Sequence, residues 1–155
     1  MRKRDETKIE QIFTATLSLI EEYGMSGTSI SLIAKRAGLA TGTIYIYFPS
    51  KEELFHQLYA KTKQDVIAHL LGALPTEGSY PEKIRNIWFR YFAYRLHYHS
   101  TVLFQEQYYY SQLISPENKE LSEQIMLPIR QIIDQGRDLN ILKDTGTDII
   151  LMSLI

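Results

Sequence analysis

The most informative part of the sequence is TSISLIAKRAGLATGTIYIYFPSKEEL, residues 28–54. It opens with Ser29, a good N-cap, because its hydroxyl can accept a hydrogen bond from an otherwise unpaired backbone N–H. Gly38 suits the left-handed residue that ends a helix, so a first short helix is predicted to end near Ala37. A second short helix is predicted from Thr41 to Tyr47. It stops at Phe48, because the residue before a proline is disfavoured in the helical region.

A third helix follows at once, since Ser50-Lys51-Glu52-Glu53 has the form of a capping box. The apolar residues of the stretch have the spacing of one shared core. They are Ile30, Ile33, Ala34, Leu39, Ile44 and Phe48. A second set of residues stays outside that core, namely Thr41, Thr43, Tyr45, Tyr47 and Lys51. Two short helices with a hydroxyl-rich outer face predict a helix-turn-helix, which places its second helix in the DNA major groove.

Three motifs within residues 9–58 resemble the N-terminal domain of the tetracycline-repressor (TetR) family of bacterial regulators. They are the sequences at 33–38, 42–45 and 47–54, and the preceding helix with Ala15, Leu19, Ile20 and Gly24 also fits. Ala40 departs from the family, which usually has a capping Ser or Thr there. Ile46 stands where a polar or aromatic residue is common. It either touches a thymine methyl or belongs to the core, and we favour the core.

The resemblance and the exposed face together predict a DNA-binding set. We expect Thr41, Gly42, Thr43 and Tyr45 to lie against the bases or to read DNA shape. The predicted phosphate ligands, which set register rather than sequence, are Tyr47, Lys51, Ser29 and Ser31. Double-stranded operator DNA is therefore the expected partner.

Composition sets weaker limits on the class of protein. The 155 residues include no cysteine, no apolar run near the roughly 20 residues of a membrane span and no segment resembling a signal peptide. We therefore expect a cytoplasmic protein with no membrane partner. Residues 1–63 carry nine Lys or Arg against seven Asp or Glu, and residues 64–155 carry eight against eleven. This mild asymmetry suits a basic DNA-binding front and equally suits a solvated mixed-charge surface.

The rest of the chain has helical spacing, so the predicted class is all-α. Later helices are predicted at about 51–73, 81–98, 101–113 and 115–139, and Pro128 should kink or split the last of these. Asn140 suits a left-handed terminator, and a final helix begins near 145–147. We expect a DNA-binding domain at 1–50 and, joined by the shared helix from Lys51, a helical effector-binding and dimerisation domain at 51–155. Because the apolar end after Asp148 has no cap, we expect this second domain to be truncated; the alternative is a short protein whose apolar end packs on a partner.

Residues 80–110 hold eleven of the eighteen aromatic residues of the chain. They predict either an aromatic core or the wall of an amphipathic cavity, because buried tyrosines need polar partners. The resemblance implies an effector cavity between the later helices. The candidate wall residues are Trp88, Tyr91, Phe92, Arg95, Phe104 and Tyr108. Arg95, if it points inward, favours an anionic or carbonyl-bearing ligand.

Catalysis has little support in the sequence. There is no Cys nucleophile, no phosphate-cradling glycine loop and no His-Glu zinc motif. His97 and His99 are two residues apart, so on a helix they point in different directions and cannot share a metal ion. We therefore expect no enzyme activity, no metal site and no cofactor.

The leading functional hypothesis is a homodimeric repressor that a small-molecule effector releases from its operator. Two recognition helices would then enter successive faces of the major groove. One alternative is a regulator of the same family without an effector, whose aromatic region is core or a protein-binding surface. Another is a helical ligand-binding protein that has lost DNA binding, against which the retained Tyr47 and Lys51 argue.

Overall fold

A computed structural model describes residues 3–72 and 78–142, with side chains from residue 6 onward. Within these ranges there are seven α-helices and no β-strand, which confirms the all-α prediction. They are α1 (Lys3–Gly27), α2 (Ile30–Ala37), α3 (Thr41–Tyr47), α4 (Lys51–Leu71), α5 (Tyr80–His97), α6 (His99–Tyr109) and α7 (Pro116–Asp138). Most of the segment between the helices predicted at 51–73 and 81–98, the helix predicted near 145–147 and the apolar end lie outside the described residues.

The chain divides into two compact units. Unit 1 comprises residues 1–62 and 98–119, and unit 2 comprises residues 63–97 and 120–155. This division differs from the expected domains, 1–50 and 51–155, in two ways. It falls inside α4, after Thr62, and it assigns α6 and the start of α7 to unit 1. The reason is packing, because Phe104 and Tyr108 of α6 belong to the same buried cluster as the helix-turn-helix residues.

The core of unit 1 is built on the apolar residues that the sequence pattern selects. Ile33, Ile44 and Phe48 are fully enclosed, and the rings of Phe13 and Phe48 lie 5.6 Å apart. Ile30 and Ala34 are buried, whereas Leu39 is partly buried against this cluster. The predicted shared core of the helix-turn-helix is therefore confirmed.

Unit 2 has a smaller described core. Ile87 of α5 packs with Ile129 and Ile133 of α7. Arg90 of α5 donates to the carbonyl oxygen of His69 in α4 at 2.9 Å, which ties the two helices together. The helical assignment of α7 continues through Pro128 without a split. The helix α7 ends at Asp138. Asn140 follows two residues later with a φ of 55°, which confirms the predicted left-handed terminator.

In the described parts of the chain, no helix combines the length and the apolar character that crossing a bilayer requires.

Candidate nucleic-acid interface

Local capping fixes α2. Ser29 has extended backbone angles, and its Oγ accepts a hydrogen bond from the backbone N–H of Leu32 at 3.3 Å. At the other end Gly38 has φ 67° and ψ 31°, and its N–H bonds the last carbonyls of the helix. Both predicted helix ends are confirmed. The hydroxyls of Ser29 and Ser31 lie 3.0 Å apart and share a hydrogen bond at the start of the helix.

The recognition helix α3 is attached to the core through Ile44, the only residue of the helix that is fully enclosed. Ala40 precedes the helix and makes no side-chain cap, as its sequence predicts. Phe48 follows the helix in an extended conformation and donates its N–H to the Ile44 carbonyl at 2.9 Å. Because α3 has only seven residues and one such anchor, most of its surface is available to a partner.

The eight predicted DNA-binding residues all lie in one segment of unit 1, from Ser29 to Lys51. Four of them are exposed, namely Ser31, Thr41, Gly42 and Tyr45. The other four, Ser29, Thr43, Tyr47 and Lys51, are partly buried. The arrangement offers hydroxyl and aromatic groups around α3 and a serine pair at the start of α2. Contact with DNA by these residues stays a prediction.

Lys51 makes a structural contact that its sequence does not reveal. Its Nζ donates to the carbonyl oxygen of Thr28 at 3.1 Å and lies 5.6 Å from the centroid of the Phe55 ring. An ammonium group has three protons, so this bond leaves donors that can reach a phosphate. Lys51 therefore connects the start of α4 to the turn before α2.

Ile46 is not a core residue, and our expectation for it was wrong. Its side chain is 79% exposed, whereas Ile44 is 0% exposed. Successive helical residues are rotated by about 100°, so a spacing of two places the two isoleucines on nearly opposite faces. The spacing from Ile44 was the signal in the sequence, and apolar character alone was a poor guide.

Ion pairs and charges in the first turn of a helix hold α1, α2 and the start of α4 in place beside the predicted DNA-binding face. Arg36 of α2 makes a bidentate pair with Glu22 of α1 at 2.6 and 2.9 Å and also bonds Ser18 Oγ. The hydrogen bond from Arg36 holds the pKa of Glu22 below its usual value. The pKa of Glu52 is also lowered, first by its own backbone N–H and then by the Ser50 hydroxyl. These contacts fix α2 on α1 and the start of α4.

The turn that precedes α2 is held by a residue far along the chain. Gly24 interrupts α1 with φ 70°, and the N–H of the next residue, Met25, donates to Gln107 Oε1 of α6 at 3.0 Å. Thr28 closes the turn through its Oγ1, which donates to the Gly24 carbonyl at 2.9 Å. Since Lys51 bonds Thr28, the turn is held by α6 and by α4. No local pattern in the sequence marks Gln107 for this role.

Two of the six predicted effector residues lie in the core of unit 1. Phe104 and Tyr108 are both 0% exposed. The Phe104 ring lies 5.7 Å from those of Phe55 and Tyr108. The Tyr108 hydroxyl accepts from Asn118 Nδ2 at 3.1 Å. Because protein groups enclose both rings, we expect them to stabilise unit 1.

A polar network continues from Tyr108 to α4. Asn118 Nδ2 also donates to the His56 carbonyl at 3.0 Å. The His56 ring Nε2 lies 3.0 Å from the Leu113 carbonyl oxygen, and the ring stacks edge-on against Tyr108 at 5.9 Å. These contacts fasten the first part of α4 to the segment between α6 and α7.

The other four predicted effector residues lie on α5 in unit 2. Trp88 and Phe92 stack with an interplanar angle of 5°, their ring centroids 5.6 Å apart, and they are 42% and 50% exposed. Arg95 donates to the Tyr91 hydroxyl at 2.9 Å. The structure thus brings these four together in two pairs on one helix and assigns Phe104 and Tyr108 to the other unit. Effector binding by any of the six residues stays a prediction.

Comparison with known proteins bears on the unit that carries this face. The family model described as "Bacterial regulatory proteins, tetR family" matches residues 12–58, which run from α1 into α4 and include the whole helix-turn-helix. This chain carries a TetR-family DNA-binding domain. The resemblance stated from the sequence is thereby confirmed, and the first three helices with the start of α4 form the TetR-type DNA-binding fold.

Individual relatives give the same result. The fatty acid metabolism regulator protein of Bacillus subtilis (strain 168) is 31% identical over 91 residues, which are 59% of this chain and 47% of that protein. A crystal structure of a TetR family transcription regulator from Marinobacter aquaeolei VT8 matches with a TM-score of 0.85 and 28% identity, covering 94% of this chain and 76% of that one.

A third match shares the fold at lower identity. It is the structure of the transcriptional regulator FadR from Bacillus subtilis in complex with stearoyl-CoA, with a TM-score of 0.72 and 22% identity. It covers 94% of this chain and 80% of that one. The chain spans about half the length of the curated relatives that it matches.

Two glycines of the TetR-type motif allow a matched pair of substitutions. A Cβ atom added to Gly38 or to Gly42 meets no other atom within 4 Å, but only Gly38 has a left-handed φ. We expect Gly38→Ala to destabilise unit 1 by about 1–2 kcal/mol. Gly42→Ala should instead stabilise it by about 0.8–1 kcal/mol, because alanine is the better helix former.

Urea denaturation of the two variants measures both changes. Operator titration should then show that Gly42→Ala, although more stable, binds DNA more weakly, because its methyl group stands on the exposed face of α3. Unchanged operator affinity in Gly42→Ala would show that DNA does not approach this part of the helix.

Proposed function

We propose that this TetR-family chain is a sequence-specific DNA-binding transcriptional repressor, which acts as a homodimer and is released from its operator by a small-molecule effector. The observation that carries the proposal is the geometry of α3. One fully enclosed residue, Ile44, holds the helix, while Thr41 and Tyr45 are exposed on it. A short recognition helix with hydroxyl side chains at its N-terminal end suits base contacts in the major groove.

Dimerisation follows from the way in which helix-turn-helix proteins read DNA. One α3 helix covers only a few base pairs, and two copies must lie roughly 34–36 Å apart to enter successive major-groove faces. The proposal therefore includes an operator with two related half-sites. In the dimer we assign base contacts to Thr41, Thr43 and Tyr45, with phosphate contacts from Tyr47, Lys51, Ser29 and Ser31.

The proposed effector site rests on α5. The stacked pair Trp88 and Phe92 provides aromatic surface, and Arg95 provides a positive charge beside Tyr91. This combination suits a ligand with a long apolar part and an anionic or carbonyl-bearing group. The similar regulator FadR was solved with stearoyl-CoA, which has both features, so an acyl-coenzyme A is the first ligand to test.

The deciding experiment is a titration of the protein against its own upstream DNA and against random DNA over a series of salt concentrations. We expect the upstream DNA to bind at least about 10³-fold more tightly, with a steep salt dependence. Equal affinities would overturn the proposed repressor function at this site. Analytical ultracentrifugation of the complex should give two chains per operator.

The effector is tested in the same assay. Stearoyl-coenzyme A should weaken operator binding, and it can do so only to the extent that it binds the two conformational states with different affinities. Arg95→Gln should reduce this response without changing operator affinity in the absence of ligand. A thermal-shift series checks binding independently, because a ligand of the folded state raises stability. No shift and no response would favour a regulator without this class of effector.

A further inference from the structure

The outermost residues of the recognition helix are Ile46 and Gly42. Each is about 160–200° around the helix axis from the anchor Ile44, so both point away from the core of unit 1. Ile46 is 79% exposed. Gly42 lies one turn before it, and a Cβ atom there would meet nothing within 4 Å. The most exposed edge of α3 therefore carries the branched apolar side chain of Ile46 next to a gap, which is the space left by the missing side chain of Gly42.

Side-chain direction brings these two features together. Helical side chains lean toward the N-terminus of their helix, so Ile46 extends over the turn that contains Gly42. The gap left by the glycine gives a small group access to the side of the isoleucine. The neighbours of this edge are Thr43 and Tyr45, and α3 contains no charged residue.

The major groove offers few partners for such an edge. The base edges there present hydrogen-bond donors and acceptors, and the C5 methyl group of thymine is the one apolar group. Packing an isoleucine on a donor or an acceptor would bury that group without a partner, which is costly. A thymine methyl, in contrast, both fits the gap and loses no hydrogen bond.

We propose that Ile46 is a specificity-determining residue, which packs on a thymine C5 methyl group in each half-site of the operator with Gly42 providing the space. This inference rests on the proposed DNA-binding function and deepens it by naming one base that the operator must contain. Lys51 and the serine pair at the start of α2 set the register on the phosphates, whereas Ile46 contributes to the choice of sequence.

The test removes the methyl group alone. Each thymine of the operator half-site is replaced in turn by deoxyuridine, and the full-length protein is titrated against every duplex. We expect one symmetry-related thymine position at which the replacement weakens binding by about three- to fivefold per half-site, the value for loss of one buried methyl group. All other positions should change less.

Two variants identify the residue that reads the methyl group. Ile46→Ser should bind the thymine and deoxyuridine duplexes equally, whereas Ile46→Val, which keeps a branched apolar group, should retain the discrimination. Both substitutions are on an exposed position, so their thermal unfolding should match that of the parent. Equal binding of the parent to all duplexes, or discrimination that persists in Ile46→Ser, would overturn the inference. If the parent protein binds operator and random DNA equally, that result would instead overturn the proposed function.

Discussion

Phe104→Ala is expected to lower the free energy of unfolding of unit 1 by about 3–5 kcal/mol, the usual range for removing a buried phenylalanine. Phe104 is far from the helix-turn-helix in sequence, but its ring is fully enclosed and packs edge-on against Phe55 of α4. The cavity left by alanine lies in the cluster that also holds Ile44. We therefore expect the variant to lose operator binding as unit 1 unfolds.

Phe89→Ala is the matched control, because it is the same chemical change at an aromatic position of α5 that is 60% exposed. Its effect should stay within about 0.5 kcal/mol, as is usual at exposed sites. Urea denaturation followed by circular dichroism measures both variants, and Phe104→Leu provides a milder change if the alanine variant does not fold. A Phe104→Ala protein of normal stability with altered effector affinity would restore Phe104 to the proposed effector site.

Lys51→Met is expected to weaken both the fold and operator binding. The substitution keeps most of the side-chain volume over Phe55 and removes the charged hydrogen bond to the Thr28 carbonyl, an interaction of about 1.5–3 kcal/mol. It also removes the proposed phosphate contact, so the slope of binding against salt concentration should decrease by about 1. A purely structural lysine would lower stability and leave this slope unchanged.

Lys61→Met is the control for Lys51→Met, since it removes an exposed lysine from the same helix and the same unit. We expect it to change neither the salt slope nor the free energy of unfolding appreciably. Fluorescence anisotropy with labelled operator at four or five salt concentrations gives the slopes. Identical slopes in all three proteins would remove Lys51 from the phosphate ligands and leave it only the contact with Thr28.

The parts of the fold that the sequence predicts well are those governed by local rules. Ser29 as a cap, Gly38 as a left-handed terminator and Ile44 as an anchor depend on neighbours within a few residues. Asn140 at the end of α7 follows the same logic. Each of these positions has the predicted conformation or burial, because capping and helical periodicity need no information from the rest of the chain.

The parts that the sequence predicts poorly depend on distant partners. Phe104 and Tyr108 have the composition of a cavity wall, and their enclosure depends on Phe55 and Tyr59, more than forty residues earlier. The bond from Met25 to Gln107 spans 82 positions. Aromatic content does not distinguish a ligand-facing ring from a core ring, because that distinction is made by the elements packed against it.

Ile46 illustrates a different kind of difficulty. The residue is apolar and close to the core residue Ile44, so composition favours burial, whereas the angular position favours exposure. Exposure prevails because only one side of the short helix α3 packs against the core, and Ile46 lies on the opposite side. An isoleucine that is exposed at that position gains free energy of burial only when a partner covers it.

The discontinuous make-up of unit 1 has a consequence for biosynthesis. Its second segment, residues 98–119, follows the whole of unit 2's first segment along the chain. A nascent chain that has emerged only as far as α4 contains the complete DNA-binding motif, yet it lacks the rings and the Gln107 amide that complete its core. Such long-range closure slows folding, so the motif reaches its final stability only after α6 has left the ribosome.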